Sequence, residues 1–224
     1  MQAEFWQSRW QEGRIGFHQS DVNPLLLKHF DTLNLPKGSR ILVPLSGKSV
    51  DMAWLAHQGY DAVGIELVES AVQEFFVEQD ITPNVSQPTD NIAIKRYQGQ
   101  LSGQTIELWV ADIFALTATD IGQIDAIYDR AALIALPINT RPQYSEHIRQ
   151  MSVSVENKNA PQLLITLNYD QSKKEGPPFS ISEEQLQQYY SAHYQITPLA
   201  SQSSTFNGIA ELPVTENVWL LNDL

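Results

Sequence analysis

The chain has 224 residues, of which 42% are hydrophobic and 18% are charged, and its formal net charge is −12 at pH 7. These proportions are typical of a well-packed α/β domain and exclude a largely disordered chain. The acidic balance argues against an extended surface for nucleic acid or anionic lipid, and the lack of cysteine excludes disulfides, thiolate metal sites and a cysteine nucleophile.

Residues 1–6 contain neither the basic stretch nor the apolar core of a secretory leader. No apolar run reaches the roughly 20 residues of a membrane span. We therefore expect a cytoplasmic protein that binds neither membranes nor nucleic acid, and we expect a monomer. The five histidines lack the spacing of metal ligands, so we expect no metal.

The first predicted element carries Trp6 and Trp10, which share one face if the segment is helical. Such a pair usually packs onto a core. Together with Phe17, the pair can instead close over the mouth of a site, because aromatic faces attract a sulfonium cation and stack on planar heterocycles. The sequence leaves both interpretations open.

Alternating strands and helices follow an N-capped helix that begins at Asn23-Pro24. The predicted strands cover residues 40–45, 61–67, 92–97, 105–111, 124–128, 162–169, 194–199 and 217–221. The predicted helices cover residues 48–58, 71–79 and 139–156, and a fourth starts at the capping box of Ser182 and Gln185. Residues 80–103 are predicted to be an irregular insertion. The alternation predicts a parallel α/β sheet, and no linker divides residues 1–224, so we expect one domain.

The first strand ends in a turn that contains Gly47, where the missing Cβ lets the backbone pass close under a ligand. The second strand ends in Glu66, about 20 residues further on. On a doubly wound sheet this layout is typical of an adenosine site, with the turn under the cofactor and the carboxylate on the ribose hydroxyls.

The sequence of this turn does not match either of two competing motifs, the dinucleotide fingerprint and the P-loop. A dinucleotide fingerprint needs three glycines, and only Gly47 is present. A phosphate-binding P-loop matches at Gly47-Lys48-Ser49, but Leu42 stands where its first glycine is required.

Two further strand ends carry polar residues. Asp112 and Ile113 follow the third core strand, where an acid can accept from the amine of an adenine ring and an aliphatic residue can cover the ring. Asp129 and Arg130 follow the fourth, at the edge where open α/β sheets bind ligands. Arg130 can hold a carboxylate or an anionic nucleophile. This last segment favours a methyl donor over a dinucleotide. A rigid Gly-Pro-Pro-Phe loop that ends in Pro178 and Phe179 is expected to border the substrate pocket.

The chain resembles the thiopurine S-methyltransferase family, and more closely its bacterial branch. The resemblance rests on segments in order along almost the whole chain, namely Phe5-Trp6, Trp10, Gly16-Phe17-His18, residues 44–52, residues 63–66, Glu74-Phe75-Phe76, Asp112-Ile113-Phe114, residues 128–133 and residues 176–179.

The resemblance implies the fold of a class I S-adenosylmethionine-dependent methyltransferase. This fold is a Rossmann-like, three-layer α/β sandwich with a mostly parallel seven-stranded sheet and helices on both faces. The resemblance also implies S-adenosyl-L-methionine as cofactor, and S-methylation of a small-molecule thiol such as a thiopurine or another aromatic or heterocyclic thiol. Some bacterial members are associated with selenium and tellurium detoxification.

The resemblance also assigns site residues. It implies cofactor binding by Trp10, Leu45, Glu66 and Arg130, with Asp112 and Ile113 beside the adenine. It implies that Trp6 and Phe17 belong to a lid and that Arg130 also faces the substrate. From the residues themselves we add Gly47 to the cofactor site and Pro178 and Phe179 to the substrate site, and we expect Arg130 to be catalytic and residues 1–23 to form the lid. Ser46 stands where relatives often have cysteine, and residues 200–216 are shorter and less charged than in many relatives.

Two alternatives remain open at this point. One is a Rossmann-type oxidoreductase that uses a nicotinamide cofactor, against which the missing glycines count. The other is a non-catalytic module that binds the cofactor but methylates no thiol.

Overall fold

The structure is a computed structural model that describes residues 3–88, 90–206 and 209–224. Its strands are β1 (Arg40–Pro44), β2 (Asp61–Glu66), β3 (Asn84–Ser86), β4 (Lys95–Leu101), β5 (Gln104–Val110), β6 (Ala126–Arg130), β7 (Gln162–Asn168), β8 (Tyr194–Phe206) and β9 (Ile209–Asp223). Its α-helices are α1 (Ala3–Gln11), α2 (Pro24–His29), α3 (Val50–His57), α4 (Glu69–Glu78), α5 (Ala118–Ile121), α6 (Arg141–Ser152) and α7 (Glu183–Tyr190).

All nine described strands form one sheet in the order β3-β4-β5-β2-β1-β6-β7-β9-β8. The five strands from β5 to β7 run parallel to their neighbours, and the outer strands are antiparallel. Pro44 pairs with Ile65, and Arg130 pairs with Ile165. The carboxyl ends of these central strands therefore meet at one edge, which is where such sheets bind ligands.

Helices cover both faces because side chains on successive strand residues point to opposite sides. Leu42 and Ile65 belong to one buried cluster, together with apolar residues of α6 and α7. Ile41 and Val43 belong to the other, together with apolar residues of α2, α3 and α4. The result is the predicted three-layer sandwich.

The seven-stranded sheet predicted from the resemblance is present as β5-β2-β1-β6-β7-β9-β8. The structure adds β3 and β4, an antiparallel pair in the segment predicted to be irregular. The short strand predicted within this segment over 92–97 overlaps β4, which runs instead over Lys95–Leu101. Only the third residue of β4, Tyr97, is buried, so the segment lacks the apolar run that marks a core strand. Residue 89 of this segment lies outside the described residues.

The closing strands are longer than predicted. β8 and β9 pair from Tyr194 with Asp223 through to Phe206 with Ile209, whereas the sequence predicts strands over 194–199 and 217–221 only. The added part is rich in Ser, Thr and Gln, which give no apolar alternation. Residues 207 and 208 lie outside the described residues.

Two other boundaries differ from the predictions. The strand predicted over 124–128 runs instead over Ala126–Arg130. Asp125 lies just before the strand and is not part of it, because its carboxylate accepts the Arg40 N–H at 2.7 Å. The helix predicted over 139–156 ends at Ser152, since Val153 is already extended. Among the described residues, no helix is long and apolar enough to cross a membrane.

Gly64, in the middle of β2, has no room for a side chain. A Cβ there would lie 2.2 Å from Leu108 Cδ2 and 2.7 Å from Ser46 Oγ. We expect Gly64→Ala to lower the free energy of unfolding by about 1–3 kcal/mol, as overpacking does in dense cores. Urea unfolding measures this change.

Gly16→Ala is the matched control, because a Cβ at Gly16 meets nothing within 4 Å. Its free energy of unfolding should stay within about 0.5 kcal/mol of wild type. Equal losses in the two variants would contradict the packing described for β2.

Candidate functional site

A cavity of about 610 Å³ opens at the carboxyl edge of the central strands. Its volume falls within the roughly 300–1,000 Å³ that is usual for sites that bind small molecules and cofactors. Residues that follow β1, β2 and β6 form its floor, α1 and the loop after it contribute one wall, and Pro177, Pro178 and residues of β8 and β9 contribute another.

The turn after β1 brings backbone into the cavity. Leu45 and Gly47 both have positive φ angles, 47° and 54°. A left-handed leucine costs on the order of 1 kcal/mol, and such conformations cluster at binding sites. A Cβ on Gly47 would lie 3.0 Å from Cζ2 of Trp10, so only glycine lets this turn pass directly beneath the indole.

Glu66 ends β2 with its carboxylate at the cavity and only 7% of the residue exposed. Oε2 accepts the Gly47 N–H at 2.9 Å, and Oε1 accepts the Val68 N–H at 2.7 Å. A carboxylate has about four acceptor positions, and the Leu67 N–H is a further donor to this one, so the backbone does not use its full capacity. Glu66 therefore fixes the two loops on either side of it and retains capacity for hydroxyl donors in the cavity.

Burial raises the pKa of Glu66, while the N–H groups of Val68, Gly47 and Leu67 oppose that rise by stabilising the carboxylate. As the pH falls through this raised pKa, the carboxyl gains a proton and loses part of its acceptor capacity.

The end of β6 positions Arg130 in the cavity. Asp129, which is 1% exposed, accepts the Leu133 N–H at 3.1 Å and the Tyr144 hydroxyl at 2.7 Å. These bonds fix a tight turn in which Ala131 has a φ of 67°. Arg130 points into the cavity from this turn, and its guanidinium has no hydrogen bond or ion pair within the described part of the chain.

A buried hydrogen-bond network connects the floor of the cavity to the N-terminal part of the chain. The Tyr128 hydroxyl donates to Asp51 Oδ2 at 3.0 Å, and the Asn23 N–H donates to Asp51 Oδ1 at 2.8 Å. Because Asn23 directly precedes α2, this network also anchors the N-terminal segment beside the cavity.

The N-terminal segment packs on the fold and also lines the cavity. Trp10 is buried together with Val68, and Phe17 makes edge contacts with both Trp6 and Trp10 at centroid distances of 5.7 Å. The two interpretations left open by the sequence are therefore compatible, because one face of these rings packs and another lines the cavity.

The predicted site residues divide into two groups. Those that line the cavity are Trp6, Trp10, Phe17, Leu45, Gly47, Glu66, Arg130 and Pro178. Asp112, Ile113 and Phe179 do not line it in the described structure. The Asp112 carboxylate accepts the Phe114 N–H at 3.0 Å, and Ile113 is fully buried in the core. The Phe179 ring lies beneath the Arg141 guanidinium, 5.4 Å from its centroid.

Other polar residues line the cavity without having been predicted as site residues: Arg9, Arg14, His18, Lys48, Tyr128 and Glu216. Sequence features could have pointed to some of them, since His18 belongs to a segment of the resemblance and Tyr128 immediately precedes Asp129-Arg130. No sequence feature pointed to Glu216, because it lies in a polar strand segment without apolar periodicity.

Comparisons of the sequence point to one family. A family model described as thiopurine S-methyltransferase matches residues 1–219. A thiopurine S-methyltransferase of Psychrobacter cryohalolentis is 62% identical over 222 residues, which cover 99% of each chain. A thiopurine S-methyltransferase of Pseudomonas syringae pv. pisi is 44% identical over 204 residues, which cover 91% of this chain and 88% of the relative.

Solved structures with the same fold are methyltransferases. A SAM-dependent methyltransferase from Methanosarcina mazei superposes with a TM-score of 0.61 at 13% identity, covering 91% of this chain and 99% of that one. The 1,6-didemethyltoxoflavin-N1-methyltransferase of Burkholderia thailandensis superposes with a TM-score of 0.61 at 14% identity, covering 99% and 87%. These likenesses establish the class I methyltransferase fold.

Asp129 makes the free energy of unfolding depend on pH. Its burial raises its pKa to about 6, against the opposing hydrogen bonds from Tyr144, Leu133 and Ala132. Because the pKa is higher in the folded state, the group's contribution to stability is fully present below about pH 4 and is lost as the pH rises through 6.

We expect the free energy of unfolding of wild type to fall, relative to that of Asp129→Asn, by about 3 kcal/mol between roughly pH 4 and pH 7. Urea unfolding of both proteins across this range measures the difference. Parallel pH curves would contradict the buried, ionisable state of Asp129.

Proposed function

Because the chain belongs to the thiopurine S-methyltransferase family, we propose that it methylates the sulfur of thiopurines and of other aromatic or heterocyclic thiols. Family membership makes it an S-adenosylmethionine-dependent methyltransferase. The nicotinamide alternative has no support from the family. The observation that carries the proposal is the shared cavity of Glu66, the Gly47 turn and Arg130.

We assign the part of the cavity around Glu66 to the cofactor. The acceptor capacity that Glu66 retains toward the cavity fits a ribose hydroxyl donor of an adenosyl group. The backbone of Leu45 and Gly47 borders the same region, and Trp10 lies directly over the glycine. An indole face beside a sulfonium ion contributes cation–π attraction. When bound, S-adenosylmethionine supplies a methyl group on a positively charged sulfur.

We assign the part around Arg130 to the acceptor. Apolar surface from Ile134 and Leu167 lies beside Arg130 in the cavity, and Pro178 contributes a flat, rigid edge. A planar heterocycle fits between such surfaces. The guanidinium can stabilise a thiolate by charge-assisted hydrogen bonds while it remains charged at every working pH. Arg130 therefore favours the ionised form of the acceptor sulfur.

The charge of the cavity supports an acceptor that reacts as an anion. Among the described residues, Arg9, Arg130 and Lys174 line it against the carboxylates of Glu66 and Glu216. Two further cations of the lining are already in ion pairs, Arg14 with Glu12 and Lys48 with Glu74 and Glu78. The chain as a whole carries a net charge of −12. A local positive excess on an acidic protein concentrates anions at the mouth of the cavity. It also lowers the cost of ionising a bound thiol.

Alignment and exclusion of water supply most of the acceleration in this proposal. A thiolate is a strong nucleophile, and holding it in line with the methyl group replaces a bimolecular encounter by a positioned one. We propose that the predicted lid over residues 1–23 acts as one within a single domain, because Trp6, Trp10 and Phe17 line the cavity with apolar rings. Residues 1 and 2 of that prediction lie outside the described residues. Removing water strengthens the interaction between Arg130 and the sulfur.

The direct test is product analysis with 6-mercaptopurine and methyl-labelled S-adenosylmethionine, followed by mass spectrometry of the purine. We expect the label on sulfur and none on hypoxanthine, which has oxygen in place of sulfur. In the same assay with selenide or telluride as the acceptor, methyl-labelled products would extend the proposal to those chalcogen anions. Calorimetric binding of the cofactor without methylation of any thiol would favour the non-catalytic module, and a label on nitrogen would also contradict the proposal.

Arg130→Ala should lower kcat/KM for 6-mercaptopurine about 100-fold, the usual effect of removing one charge-stabilising donor from an active site. The midpoint of urea unfolding should stay near that of wild type, because the guanidinium bonds to no described residue. Arg130→Lys should recover only part of the activity, since lysine keeps the charge but loses the planar fork.

Arg149→Ala serves as the matched control for Arg130→Ala. Arg149 forms a surface ion pair with Glu146 at 2.6 Å and does not line the cavity in the described structure. Its kinetics should match wild type. Wild-type kinetics in Arg130→Ala would remove the role proposed for Arg130.

A further inference from the structure

His18 lines the cavity beside Arg130 and takes no part in the roles described above. Its backbone N–H donates to the Ile15 carbonyl at 2.8 Å, and its neighbour Phe17 packs against Trp6 and Trp10. The backbone of His18 is therefore fixed, while no ring nitrogen of this half-buried imidazole has a hydrogen-bond partner among the described residues.

The pKa of His18 lies below its usual value. Burial is the largest cause, the positive charges of Lys48 and Arg130 add to it, and the carboxylates of Glu78 and Glu74 oppose it. Lys48 itself binds Glu74 at 2.9 Å and Glu78 at 2.6 Å, so these two carboxylates are engaged with a closer cation. At neutral pH the imidazole thus retains a lone pair that can accept a proton.

The other titratable groups of the cavity are less suited to accept a proton from the substrate. Glu66 is bound to backbone at the cofactor end, and the Tyr128 hydroxyl is already bonded to Asp51. Glu216 accepts from the Gln202 amide at 3.1 Å, and a carboxylate is an intrinsically weaker base than an imidazole. The guanidinium of Arg130 has only N–H donors and no acceptor. His18 is the remaining candidate among the described residues that line the cavity.

We propose that His18 is the general base that takes the proton of the acceptor thiol. The S–H bond breaks as a ring nitrogen of His18 gains the proton, and the electron pair stays on the acceptor sulfur as a thiolate beside Arg130. That pair forms the new bond to the methyl carbon, and the electron pair of the old bond stays on the donor sulfur, which becomes neutral. The imidazolium then releases its proton to water. This inference rests on the proposed thiol acceptor.

Because a base is needed only for a thiol that is still protonated, the inference predicts how the loss of His18 depends on the acceptor. In His18→Gln, kcat/KM should fall about 100-fold for phenylmethanethiol, which is protonated at neutral pH, the usual contribution of a general base. For 4-nitrothiophenol, which is already ionised, it should fall less than about threefold. The loss for phenylmethanethiol should shrink as the pH rises toward the pKa of that thiol.

Three further measurements separate this chemistry from a structural effect. Calorimetric affinity for S-adenosylhomocysteine and the midpoint of urea unfolding should be unchanged in His18→Gln. Added imidazole should restore activity toward phenylmethanethiol in His18→Ala. NMR titration of the His18 ring in the wild-type protein should place its pKa below the usual value for histidine. His57→Gln is the control, since His57 is exposed and bonds to Ser102 away from the cavity.

The outcomes distinguish the two proposals. If wild type methylates neither of these thiols nor 6-mercaptopurine, the proposed function fails. If wild type methylates both, but His18→Gln loses the same factor on each and imidazole restores nothing, the function stands and His18 is not the base.

Discussion

The candidate site depends on one buried carboxylate. Glu66 lies at the end of a central strand and receives one backbone N–H from the turn after β1, at Gly47, and another from the start of the next helix region, at Val68. Burying an acid is costly unless it is hydrogen-bonded, and these two donors offset that cost while fixing both loops. The same geometry leaves acceptor capacity facing the cavity, so the group that organises the loops is also the group that can bind a ribose.

The opposite side of the cavity relies on a second buried acid. Asp129 fixes the turn after β6 through backbone N–H groups and Tyr144, and Arg130 extends from that turn. Asp51 connects the floor to the N-terminal segment through Tyr128. The cavity is thus built from strand ends whose loops are held by buried carboxylates. Among the residues that the structure describes, this arrangement leaves the guanidinium of Arg130 and the imidazole of His18 without hydrogen-bond partners, available for a ligand.

The features that could be predicted from the sequence depend on residues that are close together in the chain. Buried parallel strands appear as apolar runs, and Gly47 and Glu66 follow two of them at the same sheet edge, so their proximity was predictable. Strand β3, the later part of β4 and the outer part of β8–β9 were not, because their polar residues form strands through pairing that no periodicity reveals. Asp112 follows a strand at the correct edge, yet its carboxylate caps the turn at Phe114 and does not line the cavity. His18 lies in the cavity because of tertiary packing.

The most direct test of the central claim measures whether Glu66 holds the ribose. Calorimetry would compare S-adenosylhomocysteine with its 2′-deoxy and 3′-deoxy forms, on wild type and on Glu66→Gln. We predict that each missing hydroxyl weakens binding to wild type about tenfold, which is the value of one hydrogen bond to a charged group. In Glu66→Gln the three ligands should bind with nearly equal affinity, because the charged acceptor is gone. Equal affinities of all three ligands for wild type would contradict the account.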